Sequence, residues 1–151
     1  MLEINNTTGY KLNISRLQKV ADIFLRQYKK NKGEVSLAIV GSGRMRRLNY
    51  QYRGLDKPTD ILSFPAGADA PDHYLGEIII NREEVAKVKK YQVMLRELDI
   101  ASFKSRLAAQ EYILFFLLVH GLLHLLGYDD KTESSRRQML EMGRDFLKKV
   151  L

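Results

Sequence analysis

The sequence contains no cysteine. That absence excludes disulfides, thiolate zinc sites, iron–sulfur clusters and cysteine nucleophiles, so any metal must be held by His, Asp, Glu or backbone oxygen. Proline is scarce, with all 3 residues falling between Pro58 and Pro71, and no Pro/Gly-rich linker, internal repeat or low-complexity tract marks a domain boundary. Long hydrophobic runs are lacking too. The most apolar segment, Tyr112 to Leu126, carries His120, Gly121 and His124. It falls short of the ~20 residues a membrane span needs, which points to a buried helix and to no membrane partner. The opening Met1-Leu2-Glu3-Ile4-Asn5-Asn6 has no basic stretch followed by an apolar one, so a cytoplasmic location is the expectation. Acidic residues are the minority charge. There are 18 Asp plus Glu against 25 Lys plus Arg, a net charge of +7 that favours a polyanionic partner.

What is present suits an ordinary globular protein. The 151 residues are 45% hydrophobic and 28% charged, enough for one domain over residues 1–151 that buries roughly two-thirds of its unfolded surface in one core. Apolar residues recur at helical spacing from Ser15 to Lys30, and Asn31-Lys32-Gly33 supplies a stop. Glu34 to Val40 alternates as a strand does, after a short first strand at Leu2 to Ile4. Ser42 to Tyr52 reads as a short basic helix, Ile61 to Phe64 and Leu75 to Ile80 as strands, and Asn81 with Glu84 as the cap of a helix running to about Leu98. A long helix from about Phe103 to Leu126 stops at Gly127, and Thr132 caps a last amphipathic helix. The expected class is α+β: a small mixed sheet of about four strands packed with five or so helices.

The end of the long helix carries the chemistry. His120 and His124, four apart, project from one helical face, so both imidazoles can reach one ion. Gly127 lets the chain reverse and bring back Asp130 as a third ligand. The spacing is metzincin-like, with Gly121 in place of the glutamate base and Asp130 in place of the third histidine. Two histidines on an apolar helix can also be core residues bonded to backbone, but burying both without a common partner would be costly.

These residues resemble a known family, the YbeY endoribonucleases, whose signature is His-Gly-x-Leu-His-Leu-x-Gly-Tyr-Asp-His. His120 to Asp129 fits it position for position, and Asp130 departs from its last histidine. Asn49-Tyr50-Gln51-Tyr52-Arg53 with Pro58-Thr59-Asp60-Ile61-Leu62-Ser63-Phe64-Pro65, and Leu75-Gly76-Glu77-Ile78, are similar to two further family segments. The resemblance implies a metal-dependent, single-strand-specific endoribonuclease of ribosomal RNA maturation, notably of the small-subunit 3′ end, and of ribosome quality control. Its partners would be ribosomal RNA and the ribosome rather than DNA, and its zinc would sit on His120, His124 and Asp130. The family's functionally important arginine maps onto Arg53. An always-charged bidentate donor beside a metal suits a scissile phosphate, although an isolated arginine commonly forms a surface salt bridge. An aspartate in place of an imidazole lowers the charge of the site by one unit, which weakens the Lewis acid and tilts metal preference towards Mn or Fe-type ions.

Two other readings stay open at this level. A metalloprotease would share the spacing, but Gly121 stands where its glutamate base belongs. A non-catalytic RNA-binding ribosome-assembly protein would hold a structural metal in a closed shell. Glu77, Asp60 and Asp129 are the candidates for a general base. His73 reads as an exposed loop residue. Arg44, Arg46 and Arg47, with Tyr50 and Tyr52, could hold single-stranded RNA or form a solvated helix face.

Overall fold

The structure is a computed structural model that describes residues 1–100 and 102–151. Four strands form one mixed sheet: β1 (Leu2–Asn6), β2 (Glu34–Val40), β3 (Ile61–Pro65) and β4 (Tyr74–Asn81), in spatial order β1-β2-β4-β3. β1, β2 and β4 run parallel, and β3 pairs antiparallel with β4 at the edge. The helices are α1 (Ile14–Gln27), α2 (Ser42–Arg53), α3 (Arg82–Val85), α4 (Gln92–Glu97), α5 (Arg106–Leu125) and α6 (Glu133–Val150), with one 3₁₀ turn at Val88–Tyr91.

Alternation along the strands divides the core between the two faces of the sheet. Val35, Leu37, Ile39, Ile78 and Ile80 pack against α1, α5 and α6 around Phe24, Phe116 and Phe146. Val40 and Ile79 point the other way and join Met45 of α2 and Leu62 of β3 in a smaller cluster. α5 therefore lies under the sheet, with 67% of its most apolar window buried inside the molecule. Gly121 makes this close approach possible, because a Cβ there would come within 2.9 Å of Ile78.

Three expected elements differ, the simplest being α5, which begins at Arg106 after its Ser105 cap rather than near Phe103. The helix expected from Asn81 to Leu98 is three short pieces instead, α3, the 3₁₀ turn and α4. Val85, Val88, Tyr91 and Met94 are spaced by three, which suits a 3₁₀ repeat better than a 3.6-residue one. Glu84 does not complete a capping box but takes Lys87 and Lys90 Nζ at 2.7 Å each. α1 stops at Gln27 rather than Lys30, because Lys29 adopts φ 57° and the chain closes through Lys30 N–H to the Leu25 carbonyl. The expected caps at Thr132 and Gly127 are present: Thr132 and Ser135 bond reciprocally, and Gly127 adopts φ 99°.

Candidate metal centre

α5 ends in a Schellman closure, in which Tyr128 N–H bonds the Leu123 carbonyl and Gly127 N–H bonds the His124 carbonyl. This turn brings Asp130 back over the helix face that carries His120 and His124. His120 Nε2 and His124 Nε2 lie 3.2 Å apart, and Asp130 Oδ2 lies 3.4 Å from the first and 3.5 Å from the second. A tetrahedral ion bonded at about 2.0–2.1 Å would hold its ligand atoms about 3.3–3.4 Å apart. The cluster has the edge lengths of such a site and could hold one metal ion.

One of the two outer nitrogens fixes its ring. His124 Nδ1 donates to the Tyr128 carbonyl at 3.0 Å, which leaves its Nε2 lone pair facing the cluster. His120 Nδ1 is buried without a partner. Burial, and then the neighbouring His124, hold the His120 imidazolium below its ordinary pKa, favouring the neutral ring that a metal needs. Asp129 faces elsewhere: its Oδ1 accepts from Lys131 N–H and the Ser135 hydroxyl at the start of α6.

The cluster lines a cleft of about 620 Å³ together with Arg53, Asp60, Phe64 of the edge strand, and Tyr91. Arg53 reaches it from the end of α2, and the turn after it is fastened from inside. Buried Asn49, 1% exposed, donates to the Lys57 carbonyl at 2.8 Å. Buried Asn81 donates to the Thr59 carbonyl at 3.2 Å, and its own N–H bonds the Asp60 carbonyl at 2.8 Å. Tyr91 donates to Asp60 Oδ2 at 2.9 Å. Burial first, and then the Asp60 charge, push the Tyr91 phenol far above its ordinary pKa, so it stays a donor.

A family model described as Endoribonuclease YbeY matches residues 3–151. The chain belongs to the YbeY endoribonuclease family. It is 31% identical over 149 residues to the Endoribonuclease YbeY of Acholeplasma laidlawii (strain PG-8A), covering 99% of this chain and 97% of that one. With the Endoribonuclease YbeY of Carboxydothermus hydrogenoformans (strain ATCC BAA-161 / DSM 6008 / Z-2901) the identity is 38% over 115 residues, or 76% and 71% of the two chains. A Thermotoga maritima protein solved in solution superposes with a TM-score of 0.62 at 24% identity, over 99% of this chain and 89% of its own. That likeness shows the fold.

In this YbeY family member, the fold therefore gathers His120, His124, Asp130 and Arg53 around one cleft. Of the three acids considered as a base, Asp60 lines the cleft, whereas Glu77 and Asp129 do not line it. His73 is half exposed beside Glu34, outside the cluster. Sequence reasoning missed the clamping roles of Asn49 and Asn81 and the Tyr91 contact. A polar residue on the buried stripe of α2, four after Met45, is the one signal that could have exposed Asn49.

Proposed function

We propose that this chain is a single metal-dependent endoribonuclease domain that cuts single-stranded ribosomal RNA, with zinc on His120, His124 and Asp130. Its setting is the cytoplasm, its partner the ribosome, and its task the maturation of the small-subunit 3′ end and ribosome quality control. The observation that carries the reading is the triad of donor atoms at tetrahedral spacing in the same cleft as an arginine with no ion pair among the described residues. A divalent ion there would supply Lewis acidity to a phosphate ester, tempered by the anionic Asp130. Arg53 binds the scissile phosphate through its planar fork and stabilises the charge that grows on it. In hydrolysis a water oxygen bonds to phosphorus as the bond to the leaving sugar oxygen breaks; Asp60, held by Tyr91, takes the proton the water loses, and the sugar oxygen leaves with a proton from solvent.

The protease reading loses support at Gly121, whose position packs on Ile78 and leaves no room for a glutamate base. A structural metal would call for a fourth protein donor, and among the described residues the cluster offers three. Elemental analysis of the purified protein, paired with cleavage of single-stranded RNA with and without chelator, tests the proposal. About one equivalent of metal and chelator-sensitive cleavage are expected. Cleavage of a peptide but no RNA would overturn it.

A further inference from the structure

The cleft opens beside the end of α2. The helix carries Arg44, Arg46, Arg47 and Arg53 and no acidic residue. Tyr50 and Tyr52 are 62% and 58% exposed, large aromatic faces left to solvent. At about 100° per residue, Arg53, Tyr50 and Arg47 follow one another across the exposed face of the helix, while Tyr52 lies on the other side of the stripe that buries Met45 and Asn49. The Tyr52 ring instead packs 5.0 Å, centroid to centroid, from Phe64 of the edge strand, which lines the cleft. Arg46 lies between Arg53 and Tyr50 on this face, but it is bound through Nε and Nη2 to Asp56 at 2.8 and 3.0 Å. That pair cancels the carboxylate of the adjoining turn, while Arg47 and Arg53 have no ion pair among the described residues.

We propose that this face is a track for single-stranded RNA entering the cleft, a base stacked on Tyr50 between phosphates held by Arg53 and Arg47. The proposal rests on the ribonuclease reading and adds to it where the strand runs outside the cleft. A ring set between two guanidinium groups matches a base set between two phosphates, and stacking tolerates any base. Charge attraction alone would need no exposed rings.

The test uses two substrates, the dinucleotide UpU, too short to follow α2 away from the cleft, and a long oligouridylate, with binding of the long strand followed by fluorescence anisotropy. Tyr50→Ala should raise KM for the long strand at least about five-fold, the lower end of what base stacking contributes, with little change in kcat and a far smaller effect on UpU. Tyr50→Phe should restore the long-strand affinity, since the ring and not the hydroxyl stacks. Arg47→Ala should weaken binding and reduce the salt slope by about 0.7. Arg26→Ala, an exposed cation on α1, serves as the control and should do neither. If wild type cuts both substrates and Tyr50→Ala and Arg47→Ala leave long-strand affinity unchanged, the track is wrong and the ribonuclease stands. If wild type cuts no RNA yet the long strand binds in a Tyr50-dependent way, the track stands and the ribonuclease falls. Polyglutamate binding as tightly as the long strand, with Tyr50→Ala altering neither, would mean bare charge attraction and overturn the track.

Discussion

The two walls of the cleft are built in opposite ways. One wall is local: His120, His124 and Asp130 sit on the last turn of α5 and the reversal after it, so helical periodicity and one glycine bring them together. The other wall carries Arg53 and Asp60 on a turn with little regular structure of its own, and it keeps its place because Asn49 and Asn81, buried on α2 and β4, bond its carbonyls. A local wall fails when its own donors are removed. A fastened wall can fail from a distance.

The largest expected effect lies on the local wall. His120→Ala should abolish metal binding, and Asp130→Ala should lower metal content well below that of wild type, while Asp129→Ala should lower it less because that carboxylate holds the α6 turn. Metal analysis after gel filtration reads this directly, and the reverse order for the two aspartates would mean the other carboxylate is the ligand. Next comes Arg53→Glu on the fastened wall, which should abolish RNA cleavage while leaving fold and metal content intact, because a carboxylate there would repel a phosphate entering the cleft. Cleavage at the wild-type rate would remove Arg53 from the reaction.

Asn49→Ala sharpens the comparison, since Asn49 does not line the cleft. The change strands the Lys57 carbonyl without its donor, so denaturant unfolding should show a loss of about 1–3 kcal/mol. RNA cleavage should fall while metal content holds. Equal losses of metal and cleavage would mean the two walls are not independent. The smallest expected effect concerns the strut that carries Tyr91. Burial alone would raise the Glu84 pKa, but hydrogen bonds from Lys87 and Lys90 lower it overall. A carboxyl depressed in the folded state contributes stability above its unfolded pKa and loses it as pH falls through the folded value. Glu84→Gln should therefore unfold more easily than wild type at neutral pH, and the gap should close on acidification through the carboxylate range. A gap that persisted in acid would place the effect in packing.

Much of this was legible before the structure. β2 could be read with its observed ends because alternation of Val35, Leu37 and Ile39 is a period-two signal bounded by Gly33 and Gly41. α5 and α6 were readable from their apolar faces and caps. The segment after Asn81 was not, because residues spaced by three fit a helix loosely and a 3₁₀ turn closely, and only packing chooses between them. Arg46 shows the same limit in side chains. On the helix it is one of several arginines, and only the folded turn shows that Asp56 already holds it.

The sequence by itself determined the donor chemistry: without cysteine, two histidines in helical register and an aspartate after a glycine turn are a local arrangement that short-range geometry enforces. It also set a bias towards a polyanionic partner, since the net charge of +7 follows from counting. Tertiary structure alone decided which of Glu77, Asp60 and Asp129 lines the cleft, where Arg53 comes to rest, and which face of α2 is left open beside it. Those positions depend on contacts between residues far apart in the chain, and such contacts form only when sheet, helices and buried asparagines are assembled together.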